Sequence, residues 1–414
     1  MMVSLKKINS KNILVLCFLN VFLFPIYPIN LRPTLIVLLL FSAINYAIAK
    51  KITFNVSFKQ DNKSFYINTS LFFILCASLL YTKDIDSGIS LIVRMSPLLI
   101  LPIIFKLIND KKHISESTIL KAYRLFYLSV VLLFFSFFVY FYFNGDVTVN
   151  FLRNYNERIN NLLGKYTIHP IYASLYISIA LILSTTLYKK QFLNRGIILF
   201  FNILLGLNLI LLARKSAIIT MFVFFVVYQL KFRKINNLWK TVSILIIFLL
   251  LIAVLVFVPD ISYRFKELID VFGNSKSNGS IGLRMNIINC NYNLISQNII
   301  FGYGIGDFKD ALFNCYQAVP DVFNGKYYNA HNQYLSVWLS SGIFGFGSLV
   351  TILVYNCIKS IKSKNLISLA ILILFSIIML IESILERQDG VMIFALYVNL
   401  FAFLNSEKQT NTIR

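Results

Sequence analysis

The chain has 414 residues, 58% of them apolar and 14% charged, and its mean hydropathy is +0.73. That balance excludes a soluble globular protein of this length. The formal net charge of +22 invites a nucleic-acid partner, but the basic residues are segregated by loop instead of gathered on one surface, which excludes that partner and points to a membrane topology.

Apolar runs of about 20 residues, each long enough to cross hydrocarbon as a helix, recur along the whole chain. The short segments of alternating polarity that would mark an outer-membrane barrel are missing. Spans are expected at 12–30, 33–49, 65–82, 88–108, 122–143, 169–187, 196–212, 216–230, 241–258, 332–357, 366–384 and 391–404. The expected fold is all-α: one integral membrane domain over 1–414, a polytopic bundle of about twelve transmembrane helices.

The first span follows Lys6 and Lys7, as in a signal peptide. No small-x-small cleavage site follows, and Pro25, Tyr27, Pro28 and Arg32 read as the exit of a retained span. Between the third and fourth spans, Lys83-Asp84-Ile85-Asp86 holds an Asp-x-Asp pair. Two carboxylates supply fewer oxygens than a hard cation needs, so a solvated turn is the favoured reading, and neither metal nor cofactor is expected. Arg94 lies roughly one and a half turns inside the fourth span. It must find a partner or a polar cavity there, which makes it a substrate-binding candidate.

His169-Pro170-Ile171-Tyr172 opens the sixth span, and His169 and Tyr172 are candidates for the same role. Arg214-Lys215 interrupts the seventh and eighth spans. Two cations in a tight external turn favour an anion site over snorkelling to lipid phosphate.

The segment 259–331 is a long external loop with structure of its own. Leu283, Ile287, Ile288, Asn291, Leu294 and Ile295 fall at near-helical spacing, predicting an amphipathic helix over 280–298. Gly302-Tyr303-Gly304-Ile305-Gly306 breaks it, and Asp307 is the expected N-cap of a second short helix through Tyr316. Arg284 offers a planar fork suited to phosphate, although a solvated helix-face charge fits the sequence equally. Cys290 and Cys315 share this loop. A disulfide and two separate thiols are both open, because spacing does not give their distance.

Asn329-Ala330-His331-Asn332-Gln333-Tyr334-Leu335 closes the loop and opens an apolar helix. His331 is thereby placed at a membrane–water boundary, with Asn332 and Tyr334 beside it. The plainer reading is an interfacial histidine near a helix start capped by Asn329 or Asn332. Glu382 to Gly390 form the last external turn. Glu382 and Glu386, four apart, are expected on one helix face, where with Arg387 they could orient an arginine, hold a sugar or simply pair with each other.

Assigning alternate loops to two sides puts 24 basic and four acidic residues on the side of the N-terminus, against 15 and 13 on the other. That asymmetry predicts cytoplasmic termini and an external long loop. No Gly-x-x-x-x-Gly-Lys motif occurs, which excludes an ATP-driven pump of that type.

These features together resemble the O-antigen ligase / O-antigen polymerase superfamily of bacterial polysaccharide enzymes. The resemblance rests on the long external loop before a late span, Arg284, and Gly302 to Gly306. It rests equally on His331-Asn332-Gln333-Tyr334-Leu335 with Gly342 and Gly345, and on Ala213-Arg214-Lys215-Ser216. The ligase-like region is about 196–358.

The resemblance implies an inverting, metal-independent glycosyltransferase of the bacterial inner (cytoplasmic) membrane, with its active site facing the periplasm. The donor would be a glycan on undecaprenyl diphosphate, and the acceptor a lipid A-core sugar or another lipid-linked glycan. It would place Arg214 and Arg284 on the donor diphosphate and His331 at the acceptor hydroxyl. Lys215, which is not a fixed feature of the family, and Arg94, His169, Tyr172, Asn332, Tyr334, Glu382 and Arg387 are substrate-binding candidates on their own positions. The chemistry is self-consistent: imidazole titrates near neutral pH, and cations stabilise a diphosphate leaving group.

A lipid-linked-glycan flippase is the alternative from another class. It should show inverted repeats or paired broken helices, whereas polar residues here gather at one face and in one asymmetric loop. A transferase of the same fold acting on protein is the third possibility.

Overall fold

In the computed structural model, the structure describes residues 9–52, 62–108, 114–143, 168–212, 215–232, 280–318 and 326–404. Among the described residues there is no strand, and helices dominate. They are α1 (Ser10–Val21), α2 (Arg32–Ala49), α3 (Lys63–Ser78), α4 (Ile85–Met95), α5 (Pro97–Leu107), α6 (Glu116–Phe143) and α7 (Pro170–Lys189). There follow α8 (Arg195–Leu211), α9 (Lys215–Phe232), α10 (Ser280–Gln297), α11 (Phe308–Gln317), α12 (Gln333–Lys362), α13 (Leu366–Met379) and α14 (Gln388–Phe403). Among the described residues, six segments are long and apolar enough to cross a membrane: 29–49, 63–81, 85–107, 116–141, 170–189 and 333–362. Helices α1, α8, α13 and α14 are apolar but shorter. The chain is a multi-pass membrane protein. The span expected at 241–258 lies outside the described residues.

The fourth expected span is two helices. Ser96 ends α4 and precedes Pro97, the first residue of α5. Proline is tolerated at that position because a first-turn N–H has no intrahelical acceptor anyway. Arg94 therefore sits in the last turn of α4, where a cation opposes the negative helix end.

Helix α14 is buried on every side from Asp389 to Phe403, and α7 is nearly so. Such all-round apolar helices belong at the centre of a bundle. Around them α3 packs on α12, α5 on α14 and α6 on α7. Aromatic edges lock this centre, with Tyr397 against Phe22 and Phe126, and Tyr176 against Phe24. Leu38, Phe41, Phe200 and Ile203 point outward, as lipid-facing side chains do.

Helix α12 kinks at Ser341–Gly342, where Gly342 has φ 67°. The loop after α10 fits into this kink. Ile343 N donates to Ile299 O (3.0 Å), Tyr303 N to Leu339 O (2.7 Å) and Trp338 Nε1 to Ile299 O (3.0 Å). The groups freed by the kink are thus paired, as a hydrocarbon setting demands. A Cβ on Gly342 would lie 1.8 Å from Ile300 O, and one on Gly302 2.5 Å from Leu339 O, so the two glycines let the backbones interlock.

Asp307 precedes α11, but its side chain makes no capping hydrogen bond there, contrary to expectation. Its carboxylate accepts from Lys83 N (2.7 Å) and Asp84 N (2.8 Å), anchoring the long loop to the start of α4. Asp84 itself caps α4 by accepting from Ser87 N, so the Asp-x-Asp segment is a capping turn. Hydrogen bonds from Ser87 hold the Asp84 carboxyl below its usual range.

Candidate functional site

The start of α12, the turn 380–388, the start of α7 and the helices α10 and α11 converge at one end of the bundle. Asn332 adopts an extended conformation, and its Oδ1 accepts from Tyr334 N (2.9 Å) and Leu335 N (3.1 Å), capping α12. Its Nδ2 donates to Leu380 O (3.1 Å), tying α12 to the end of α13. Asn329 Oδ1 accepts from His331 N (3.2 Å). Between these two bonds His331 is held at φ 45°, in the left-handed region that non-glycine residues seldom occupy.

That conformation brings His331 Nδ1 to 3.3 Å from Glu382 Oε2. Arg284 Nη2, from the exposed face of α10, lies 3.8 Å from Glu382 Oε1. An ionised carboxylate only accepts, so a neutral imidazole that donates from Nδ1 to such a Glu382 would leave the Nε2 lone pair open to a proton. The Arg284 side chain is 46% exposed and the Glu382 side chain 13%. The carboxylate is therefore the buried pivot, and the guanidinium keeps donors turned to the outside.

Glu382 and Glu386 do not share a helix face, because α13 ends at Met379 and a 3-10 turn covers Ile384–Glu386. Glu386 instead faces α11 and α12. Its Oε1 accepts from Ser336 Oγ (2.7 Å), and Lys309 Nζ is 3.8 Å from Oε2. Arg94 Nη1 donates to Glu386 O (2.9 Å). Gln333 Oε1, fully buried, accepts from Leu385 N (2.6 Å) and clamps the turn to α12.

Tyr172 donates to Ile384 O (3.2 Å), and His169 caps α7 by accepting from Ile171 N (3.4 Å), its ring 6.3 Å from that of Tyr172. Arg387 is exposed at the start of α14. Tyr334 is turned elsewhere: its hydroxyl donates to Ser376 O (3.2 Å) and ties α12 to α13. Arg214 lies outside the described residues, and of Lys215 only the backbone, opening α9, is described.

Cys290 and Cys315 are joined by a disulfide, with their Cα atoms 6.0 Å apart. It fixes α11, which carries Lys309, to α10, which carries Arg284. Asn291 Nδ2 donates to Ala330 O (3.3 Å), so α10 is also held next to His331.

The contacts of three residues were not read from the sequence. Arg32 lies where the exit of the first span was expected, between α1 and the body of α2. It is fully buried, paired with Asp389, and donates to Tyr27 O (3.0 Å) and Tyr176 Oη (3.2 Å). Lys309 and Ser336 hold Glu386. An arginine at the start of an apolar span was a usable signal, since buried ions need partners. Lys309 and Ser336 carried none.

Residues 200–350 match the family model described as O-antigen ligase. This match supports the resemblance to the O-antigen ligase / O-antigen polymerase superfamily. No curated protein matches the chain. The family supports an enzyme that ligates or polymerises glycans at a membrane. The ligase match contains Arg214, Arg284 and His331 but stops before Glu382. The carboxylate that meets both Arg284 and His331 is thus supplied by a turn beyond the matched region.

Proposed function

We propose that the protein transfers or polymerises a glycan carried on undecaprenyl diphosphate, at the outer face of the cytoplasmic membrane, with an external loop over 259–331 and both termini cytoplasmic. The acceptor is a lipid A-core sugar or a second lipid-linked glycan. The observation that carries the reading is the His331–Glu382–Arg284 contact at the mouth of a membrane bundle.

Glu382 orients the imidazole, and His331 Nε2 takes the proton of the acceptor hydroxyl. The hydroxyl oxygen bonds to the anomeric carbon from the face opposite the diphosphate. The anomeric carbon–phosphate oxygen bond breaks, and the electron pair leaves on the diphosphate, inverting the configuration. Arg284 and Arg214, with Lys215, oppose the developing charge, and guanidinium groups can do so without a metal. The twelve-span topology is supported by the loop-charge asymmetry of 24 basic and four acidic residues on one side.

The test is the surface-glycan profile, resolved by chain length, of a deletion strain complemented with wild type, His331→Ala, Arg214→Ala or Arg284→Ala. Core bearing a single repeat unit identifies a polymerase. Bare core with long chains left on the lipid carrier identifies a ligase. Restoration of the wild-type pattern by all three variants would overturn the site.

A further inference from the structure

Beside His331, the loop and α11 build an aromatic surface that the transfer step does not use. Tyr327 is 48% exposed and stacks on the half-buried Phe313 of α11, with centroids 5.8 Å apart and planes 27° apart. The next residue, Tyr328, lies with its ring 6.5 Å from that of His331 and packs by its edge on the buried Tyr316. Helix α11 turns Phe308, Leu312 and Tyr316 inward. Its outward face carries Asp310, Phe313, Asn314 and Gln317 at helical spacing. Polar groups that can bond hydroxyls therefore flank an aromatic face. The surface does not float, because the Cys290–Cys315 disulfide fixes α11 to α10.

A sugar ring presents C–H bonds on one face and hydroxyls around its edge. The C–H face meets the negative face of an aromatic ring, and the hydroxyls need carboxylate or amide partners. We propose that Tyr327, stacked on Phe313 and flanked by Asp310, Asn314 and Gln317, is a sugar-binding platform that seats a pyranose of the glycan beside His331. Burial, with the nearby Glu386 and Asp310 charges, raises the pKa of the Tyr327 hydroxyl, so it stays protonated and able to donate. The inference rests on the transferase reading for the identity of the glycan, while the platform itself needs only a carbohydrate.

The experiment is saturation-transfer NMR on the full chain in detergent. The probe is an oligosaccharide of one or two repeat units, released by mild acid from the host's own surface polysaccharide. We expect saturable binding to wild type, weakened about tenfold or more in Tyr327→Ala and in Phe313→Ala, and retained in Tyr327→Trp. Wild-type affinity in both Tyr327→Ala and Phe313→Ala overturns the platform, and so does a wild-type protein that shows no saturable binding. If the wild type binds through Tyr327 yet transfers nothing from any lipid-linked donor, the transferase reading fails and the platform stands.

Discussion

At one end of α3, α12 and α14, three asparagines close on one another. Asn356 Nδ2 donates to Asn68 Oδ1 (2.8 Å), and Asn68 Nδ2 donates to Asn399 Oδ1 (3.0 Å). Lys359 Nζ completes this end by donating to Ser64 Oγ (2.9 Å) and Ala402 O (2.5 Å). At the other end of α12 and α14, short hydrogen bonds to the turn stand beside ion pairs that are longer and partly open. Glu382 meets Arg284 and His331 at 3.8 and 3.3 Å, and Lys309 meets Glu386 at 3.8 Å. Gln333 Nε2 and Ser383 Oγ are buried there without a hydrogen-bond partner among the described residues.

Neutral amides that satisfy one another are a structural solution to polarity in a membrane. Charged groups held loosely, beside unsatisfied donors and a backbone in the left-handed region, are what a substrate site looks like. The tight Arg32–Asp389 pair belongs to neither kind. It sits under the charged turn and fixes α14 to α2.

The comparison can be broken by substitution. The largest effect is expected from His331→Ala, which should lower transfer by about 10²- to 10⁴-fold with unchanged thermal stability in detergent. A matching loss of stability would move His331 to the structural class. Arg32→Met strands a buried carboxylate and should cost about 3–5 kcal/mol of stability, with much of it recovered in Arg32→Met/Asp389→Leu. Thermal unfolding of the two variants decides whether the pair is the anchor inferred here.

Cys290→Ser should remove about 2–4 kcal/mol from the segment that holds α10 and α11, read as earlier protease cleavage within 280–318. Reductant should mimic it in wild type and have no further effect on the variant. The smallest effect belongs to the far end. Asn356→Leu should cost about 1–3 kcal/mol through the unpaired Asn68 and leave transfer by the folded protein untouched. A selective loss of transfer would show that the asparagine ladder is coupled to the site.

Much of the architecture was legible because hydrocarbon imposes long apolar runs. The helices α1 to α9 and α12 to α14 fall on the predicted spans, and α10 and α11 fall where periodicity and the glycine break placed them. The division of α4 from α5 was written as Ser96-Pro97, but an apolar run masks such a break. In the site, His331, Arg284 and Glu382 each stood out as polar residues at helix boundaries. Their meeting was not legible, because it depends on the left-handed turn at His331 and on the end of α13 at Met379. Asp307 misled for a related reason: a polar residue immediately before a helix looks local, whereas its carboxylate reaches Lys83 and Asp84, far back in the chain. The partner of Arg32 is 357 positions away, and no pattern in one sequence joins them.

The most direct measurement uses purified protein in detergent and a labelled undecaprenyl diphosphate-linked glycan with an excess of acceptor. Single-turnover rates are compared for wild type, His331→Ala, Glu382→Gln and Asn356→Leu. The account predicts near-complete loss in His331→Ala, a smaller loss in Glu382→Gln, where an oxygen still accepts from Nδ1 without charge, and the wild-type rate in Asn356→Leu. Transfer at the wild-type rate by His331→Ala would contradict it.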